Sequence, residues 1–565
     1  MVSQRPEWAA DAIWYQIFPE RFCHGCPASD PTAEDAGVPL ARFPAWKVRP
    51  WGLDWEAADE WGQGRAEDRS FRATVFHRRY GGDLPGIRKR LPYLRELGVN
   101  ALYLNPIFQA PSLHKYDAAC LHHVDPTLGP DRAGDHARLA AAHETEDPAT
   151  WIWTAADLSL LDFLDEAHSM GFRVILDGVF NHCGRRFFAF RDLQEKGRAS
   201  RFVDWFQVTH WREDGGFDYA AWDGPNASLP NFARSADTLA EGPRRYVFDI
   251  TERWVRPAPG GVRRRGVDGW RLDVAYCLPH GFWREWHAHL RGLLPDAYTT
   301  AELVGPAQEY LGDGEFSAAM NYEWLYPTLG FFTGAAEALT ADEFARRIGR
   351  LLARHPFPTT LVMQNLLDSH DTGRVLTMFE NAAPPFTEWD PYFHFARQEA
   401  NPGLTTRGPS PESIARLRLA AFWQFTAPGA PMIYYGTELG LHGANDPSCR
   451  KPMPWPETPD GVPPPAPPDT PTGLFPYYRA LCELRKANVA LQRGELRFLP
   501  SPGPRVLHYA RLADGETVEA WINASRETVD LPPACASAKV LFRSDGPGEA
   551  VERLPPLTAV LLKVR

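Results

Sequence analysis

The sequence contains no run of apolar residues long enough to cross a bilayer, which takes about 20 predominantly apolar residues. Its first residues, Met1 to Trp8, contain no apolar signal region either. Long basic runs are also missing, and the formal net charge is −11. We therefore expect a cytoplasmic protein that binds neither a membrane nor nucleic acid.

Paired cysteines are scarce. The 8 cysteines are scattered singly apart from Cys23 and Cys26, and no second pair completes a four-ligand metal site with those two. Because cytoplasmic chains keep their cysteines reduced, we expect free thiols. Tryptophan is plentiful by contrast, and the 20 tryptophans suit either stacking on flat sugar faces or filling a core.

Predicted strands alternate with amphipathic helical stretches through most of the 565 residues. This alternation is typical of parallel sheets with helical crossovers, and eight units fit a TIM barrel better than a doubly wound sheet. We therefore predict the α/β class and a (β/α)8 barrel. The eight predicted strands are residues 13–18, 99–104, 172–180, 267–275, 298–304, 318–322, 360–367 and 431–435.

Three stretches interrupt the alternation. Residues 183–245 are rich in Trp, Phe, Asp and Gly, which indicates a subdomain inserted after the third strand. Residues 454–473 are rich in proline, which excludes a regular element. Beyond residue 490, short strands follow one another without helices and predict an antiparallel β-sandwich. The predicted domains are the barrel (1–182 and 246–489), the inserted subdomain (183–245) and the C-terminal β-sandwich (490–565).

The predicted strand 267–275 carries two charged residues, Arg271 and Asp273, which point to the same side. Such a pair is either a structural ion pair or a catalytic carboxylate that a guanidinium keeps ionised. Carboxyl ends of barrel strands meet at one mouth, and acidic groups gathered there repel one another unless they have a function. The polar residues at the carboxyl ends of the third, fourth, fifth and seventh predicted strands are Asp177, Asn181, His182, Arg271, Asp273, Glu302, Asp368, His370 and Asp371.

Two carboxyl groups with separated pKa values are what glycoside hydrolysis requires. Asp273 beside Arg271 suits an ionised nucleophile, because the guanidinium lowers the pKa of the carboxyl. Glu302 has a more apolar setting, where desolvation raises its pKa and suits a general acid. Asp371 would then hold sugar hydroxyls and stabilise positive charge in the transition state.

These four segments, in this order, resemble the motifs of the α-amylase family of glycoside hydrolases over about residues 11–565. The resemblance implies that Asp273 is the nucleophile, Glu302 the general acid/base and Asp371 the transition-state stabiliser. It also implies a set of substrate-binding residues, with Asn181 in a supporting position. These are Asp177, His182, Arg271 and His370 at the cleavage site, Tyr116 as a platform under the sugar on the non-reducing side, and Asp446 with Arg450 as a clamp on that sugar's hydroxyls.

Several stretches look most like neopullulanases and cyclomaltodextrinases, for example Trp270–Ala275 and Gln364–Asp371. This implies cleavage of α-1,4 bonds in maltooligosaccharides, cyclodextrins or pullulan, often with glycosyl transfer. Glu323 and Trp324 are then expected near the acceptor side, with loop packing as the other interpretation. Two alternatives remain: an amylosucrase-like or trehalose-forming glucosyl transferase or isomerase on the same barrel, and a non-catalytic carbohydrate-binding protein.

The sequence departs from the family pattern in three places. The family's calcium loop is rich in Asn and Asp, but Arg21–Asp30 keeps only Asp30, with Asp83 nearby, so we expect no tight calcium there and no cofactor. Calcium binding near Asn181 remains an alternative. The printed sequence starts on the first strand, so we expect a monomer, or a dimer not formed through an N-terminal domain. Residues 131–156 either restrict access to the mouth or pack on the barrel.

Overall fold

A computed structural model describes residues 5–62, 71–312, 314–406, 408–455, 473–546, 548 and 551–564. Most of the Pro-rich stretch 454–473 lies outside the described residues. The strands in chain order are β1 (Trp14–Ile17), β2 (Ala101–Leu104), β3 (Arg173–Gly178), β4 (Val208–Trp211), β5 (Phe217–Tyr219), β6 (Gly269–Leu272), β7 (Tyr298–Ala301), β8 (Ala318–Ala319), β9 (Gln364–Leu366), β10 (Ala430–Tyr434), β11 (Glu495–Phe498), β12 (Val506–Ala513), β13 (Glu516–Asn523), β14 (Val529–Asp530), β15 (Lys539–Arg543), β16 (Arg553–Leu554) and β17 (Thr558–Lys563).

The helices flank these strands, and none among the described residues combines the length and apolar character that crossing a membrane requires. They are α1 (Pro19–Phe22), α2 (Phe71–Val75), α3 (Leu84–Lys89), α4 (Leu91–Leu97), α5 (Arg132–Ala141), α6 (Ala155–Ser169), α7 (Phe188–Lys196), α8 (Glu241–Val255), α9 (His280–Leu293), α10 (Tyr322–Phe332), α11 (Ala341–Leu352), α12 (Phe357–Val362), α13 (Val375–Glu380), α14 (Trp389–Ala396), α15 (Pro411–Thr426), α16 (Leu474–Ala487), α17 (Val489–Arg493) and α18 (Pro533–Ser537).

Eight parallel strands form the barrel that the alternation predicts. Their order is β8-β7-β6-β3-β2-β1-β10-β9, and a parallel bridge between Met320 and Gln364 joins the two ends of the sheet. Buried apolar side chains fill all four positions of β2, as expected for a strand covered on both faces. Glycine is required at position 269, because a Cβ there would lie 1.9 Å from the carbonyl oxygen of Tyr298 on β7.

Most of the predicted strands are shorter in the structure. The predicted strand 360–367 is wrong in its first half, since α12 continues to Val362 and β9 begins only at Gln364. Pro358 sits in the first turn of α12, where a missing N–H costs nothing. The strand predicted over 318–322 ends at Ala319, and that over 267–275 covers only Gly269–Leu272.

The other two regions also take the predicted form, although the predicted domain boundaries stay predictions. Between β3 and β6 the chain makes α7, the antiparallel β4–β5 hairpin and α8. The C-terminal region contains a five-stranded sheet, β11-β12-β13-β17-β15, and a small β14–β16 pair, all antiparallel. All eight cysteines are free thiols, as expected.

Candidate active site

The guanidinium of Arg271 lies at the centre of the barrel mouth and contacts three carboxyl groups. Its Nη1 donates to Asp177 Oδ1 at 2.7 Å and to Asp273 Oδ1 at 2.9 Å, while Nη2 lies 2.8 Å from Glu302 Oε1. The predicted convergence of Arg271, Asp273 and Glu302 is therefore confirmed, and Asp177 joins the same cation.

The strands and the turns that follow them position these groups. Asp177 on β3 is in register with Arg271 on β6, so the two side chains leave neighbouring strands at the same height. Asp273 and Glu302 follow directly after β6 and β7. Val274 then takes a left-handed conformation, with φ of 39°, and its N–H donates to Glu302 Oε2 at 2.8 Å. The turn after β6 thus orients the carboxyl on the next strand.

The pKa of Asp273 does not follow the sequence prediction. Burial and the nearby Glu302 raise its pKa well above the usual value, and Arg271 only partly opposes them. Burial also raises the pKa of Asp177, to about 6, and that of Glu302, the latter as expected. One guanidinium does not balance three carboxylates away from water, so burial outweighs Arg271 at Asp273, which the strand-level argument did not foresee.

Tyr116 and His370 form one hydrogen-bonded chain beside the carboxyl groups. Gln16 donates its side-chain amide to His370 Nδ1 at 2.8 Å, so the ring proton lies on Nε2. His370 Nε2 then donates to the Tyr116 hydroxyl at 2.5 Å, which donates to Asp177 Oδ2 at 3.0 Å. The two rings are parallel within 10°. Burial, Arg450 and Arg271 lower the pKa of His370 well below its usual range, so the ring is neutral.

Asp371 contacts the guanidinium of Arg450 and the neutral ring of His370. Arg450 Nη2 donates to Asp371 Oδ1 at 3.1 Å, and His370 Nε2 lies 3.1 Å from Asp371 Oδ2. The other terminal nitrogen of Arg450 lies 3.0 Å from Asp446 Oδ1. The structure therefore brings the predicted Asp446–Arg450 pair into direct contact with Asp371.

His182 presents an unpaired ring nitrogen to the site. Asn181 donates to His182 Nδ1 at 3.0 Å, because the amide oxygen of Asn181 accepts from Arg234. The proton of His182 is therefore on Nε2, which has no hydrogen-bond partner among the described residues and lies 4.0 Å from Asp273 Oδ2. Burial lowers the pKa of His182 to about 4. A neutral N–H donor pointing at Asp273 suits a substrate hydroxyl.

Two predicted acceptor-side residues make packing or ion-pair contacts. Trp324 is 2% exposed and stacks on Trp423, with ring centroids 6.1 Å apart, which favours the packing interpretation over substrate binding. Trp324 belongs to the apolar face of α10 that packs on α15. The sequence did not show this, because Trp324 lies near the start of the helix, next to a loop. Glu323 pairs with Arg354 at 2.6 Å, and its place near the acceptor side stays a prediction.

Several site residues were missed by the sequence reasoning. Gln16 lies next to the last residue of β1, and Asn105 directly follows β2. Collecting the polar residues at the carboxyl ends of these two strands, as was done for the other strands, would have found both. Tyr103 donates to Asp177 Oδ2 at 2.6 Å from inside an apolar strand, which gives no signal. Trp222 stacks on His182 and is 47% exposed, and Tyr276, three residues after Asp273, is 49% exposed.

Comparison with known proteins agrees with this geometry. The alpha-amylase catalytic domain matches residues 16–146 and 154–388. The cyclomaltodextrinase of Geobacillus thermopakistaniensis (strain MAS1) is 34% identical over 535 residues, which is 94% of this chain and 71% of that protein. Neopullulanase 2 of Thermoactinomyces vulgaris is 34% identical over 503 residues, 88% of this chain and 66% of that protein.

Solved structures agree as well. The ligand-free cyclic α-maltosyl-(1→6)-maltose hydrolase of Arthrobacter globiformis aligns with a TM-score of 0.71 at 28% identity, over 99% of this chain and all of that one. The debranching enzyme of Nostoc punctiforme gives 0.69 at 28% identity over the whole of both chains. The chain belongs to the α-amylase family of glycoside hydrolases, and it is a glycosidase of the kind to which cyclomaltodextrinases and neopullulanases belong.

Proposed function

We propose that this enzyme cleaves α-1,4-glucosidic bonds in maltooligosaccharides, cyclodextrins or pullulan with retention of configuration. The observation that carries the proposal is the contact of Asp273 and Glu302 with one guanidinium, that of Arg271. A retaining mechanism needs two carboxyl groups roughly 5–5.5 Å apart, whereas an inverting one needs roughly 6.5–9.5 Å. Two carboxyl groups that share one cation favour the shorter separation.

In the proposed first step, Asp273 attacks the anomeric carbon while Glu302 protonates the leaving oxygen, which gives a covalent glycosyl-enzyme. Water or a second sugar then attacks, with Glu302 as base. The step needs a protonated Glu302 and an ionised Asp273. Burial raises the pKa of both carboxyl groups, and the hydrogen bond from Arg271 favours the ionised form of Asp273. Asp371 stabilises the positive charge that develops on the sugar.

The neighbouring side chains account for binding of the sugar on the non-reducing side of the cut. Tyr116 offers a ring held by His370, and His182 offers a free N–H. Asp446 and Arg450 are the proposed clamp on the hydroxyls. The half-exposed ring of Trp222, which stacks on His182, offers a face for a second sugar, and this supports transglycosylation besides hydrolysis.

Product analysis tests the proposal. Chromatography of the products from pullulan, β-cyclodextrin and maltotriose should show maltose, glucose or panose, with transfer products at high substrate concentration. D273N and E302Q should lose roughly 10²–10⁴-fold or more in rate, because each removes an obligatory group. E166Q, which changes a carboxyl on the outside of the barrel, should keep wild-type activity and serves as the control.

The same experiment separates the alternatives. Formation of trehalose from maltotriose, or of glucan from sucrose, would show that the enzyme is a transferase or isomerase and would contradict its assignment as a hydrolase. Binding of maltotriose without any turnover would leave only a carbohydrate-binding protein. Wild-type hydrolysis by D273N or E302Q would remove the assignment of their roles. The cytoplasmic location and the oligomeric state stay predictions.

A further inference from the structure

We propose that His122, His123 and Glu144 bind a divalent transition-metal cation of the Zn²⁺ type, away from the catalytic carboxyls. The ligand atoms of these three residues lie within 4.8 Å of one another. Nε2 of His123 lies 2.9 Å from Glu144 Oε2, and Nε2 of His122 lies 3.6 Å from the same oxygen. Two imidazole nitrogens and a carboxylate, with ligands roughly 3.3 Å apart around a tetrahedral ion, form a donor set that Zn²⁺ accepts.

The outer nitrogen of each histidine is held by a further side chain. His123 Nδ1 lies 2.8 Å from Asp157 Oδ2 on α6, and His122 Nδ1 lies 2.7 Å from the Tyr246 hydroxyl on α8. Such partners orient metal-ligating imidazoles and leave Nε2 directed at the ion. Glu144 is fixed in turn, because its Oε1 accepts the N–H of Ile152 at 2.6 Å. The three ligands are thus oriented before any cation binds.

The contacts of His123 require positive charge between the ligands. A carboxylate faces each of its ring nitrogens, Asp157 at Nδ1 and Glu144 at Nε2. A neutral imidazole has one N–H, so one of these contacts would set a lone pair against a carboxylate oxygen. Either a second ring proton or a bound cation removes this repulsion. His122 Nε2 converges on the same Glu144 oxygen, 3.6 Å away, and supplies a third ligand atom around one point, which favours the cation.

The site would fasten the long connection between β2 and α6. His122 is stacked on Trp151, with ring centroids 4.4 Å apart, and Arg253 of α8 lies 3.8 Å above the ring of Trp153. Both tryptophans therefore have packing partners, which favours the packing interpretation of residues 131–156. A cation here would stabilise the fold and leave the chemistry at Asp273 untouched.

Cobalt titration of the chain without a histidine tag tests the site. Wild type should bind one Co²⁺ per chain, with visible absorption bands, and Zn²⁺ should compete for it. Addition of Zn²⁺ should raise the unfolding midpoint by several degrees. H122Q and E144Q should lose both effects, and H143Q, which changes an exposed neighbouring histidine, should keep them.

Two results would overturn the proposal. One is the absence of stoichiometric binding at 100 µM Co²⁺, roughly the weakest affinity expected of three oriented ligands, which would leave a doubly protonated His123 as the explanation. The other is equal binding by wild type, H122Q and E144Q, which would place the ion elsewhere. Because the readouts are a spectrum and a midpoint, neither result depends on the substrate of the enzyme.

Discussion

At the scale of single residues, the site depends on how one cation is shared. Arg271 is fully buried, and its two terminal nitrogens face Asp177, Asp273 and Glu302. A planar guanidinium presents donors in several directions at once, whereas an ammonium is a point charge. The identity of this residue therefore matters as well as its charge.

We expect R271K to lower kcat/KM by roughly 10²-fold or more and to move its acid limb to higher pH. Arg271 lowers the pKa of Asp273, so a lysine that no longer reaches it lets that pKa rise. Asp273 must be ionised to attack, and a higher pKa means that ionisation requires higher pH. The pH profile of kcat/KM on maltotriose measures the shift.

A second buried arginine provides the control. Arg485 donates to backbone carbonyls of Phe425 and Gly429 and contacts no catalytic group among the described residues. R485K should therefore change stability but leave the pH profile in place. An unshifted acid limb in R271K, at unchanged folding, would contradict the assigned role of the guanidinium.

At the scale of elements, the connection from α1 to α3 adds a wall to the mouth. Its described parts carry a small core of their own, with Phe43 and Trp61, and Trp55 reaches Ser448 beside the Asp446–Arg450 pair. Phe76 is 52% exposed at the end of α2. It borders one cavity of about 390 Å³ shared with Asp446 and a second of about 390 Å³ shared with His114.

We expect Phe76 to stack on a glucosyl unit beyond the one at the cleavage site. F76A should raise KM for maltohexaose by about 5–10-fold, because the contact of an aromatic ring with a glucosyl unit contributes on the order of 1–1.5 kcal/mol. KM for maltotriose and kcat for both substrates should change less than about twofold. L40A alters an exposed apolar residue of the same connection and is the matched control. Equal effects on both substrates would contradict this role.

The loop between α1 and α3 also bears on calcium. The carboxylate of Asp83 accepts backbone N–H groups from Gly25, Cys26 and Gly86 at 3.0, 2.7 and 2.6 Å, and Asp30 lies 2.7 Å from His24. Backbone donors thus occupy oxygens that a hard cation would need. The absence of tight calcium binding stays a prediction.

Addition of calcium to chelator-treated protein tests whether this loop binds calcium tightly. After dialysis against EGTA, 5 mM Ca²⁺ should change neither the unfolding midpoint nor the rate on maltotriose, because no open oxygen cage remains at this loop. The chelated sample without Ca²⁺ is the control. A rise of several degrees on addition of Ca²⁺ would show that calcium binds here or near Asn181.

At the scale of the whole molecule, the C-terminal sheet and the barrel share one core. Tyr509 on β12 lies 5.2 Å from Trp423 of α15, and its hydroxyl is 2.5 Å from Thr426 Oγ1. Arg511 is fully buried and donates to the carbonyls of Thr426 and Gly494. Burial and, to a lesser extent, the nearby Arg485 lower the pKa of Arg511 to about 9.

We expect R511L to destabilise both regions together, by about 2–4 kcal/mol, because buried carbonyls lose their donors. Denaturant unfolding followed by tryptophan fluorescence and by far-UV circular dichroism should shift to lower midpoints in parallel. R497L, an exposed position on β11, should have little effect. Separate transitions by the two probes would contradict a shared core.

The sequence alone determined the architecture and the chemical group. Apolar periodicity is local, so the order of strands and helices could be predicted, and Asp273, Glu302 and Arg271 could be assigned to one mouth because carboxyl ends of parallel strands meet there. The predictions failed where local pattern is ambiguous. Pro358 lies in the first turn of α12, in a segment whose apolar pattern also predicts a strand.

Only the tertiary structure decided protonation and exposure. The tautomer of His370 depends on Gln16, which lies 354 positions away in sequence, and its neutral state depends on burial, Arg450 and Arg271. The pKa of Asp273 depends on Glu302 and on burial, and the fate of Trp324 depends on Trp423 of another helix. These properties are sums over groups that meet only when the chain is folded, so no stretch of the sequence contains them.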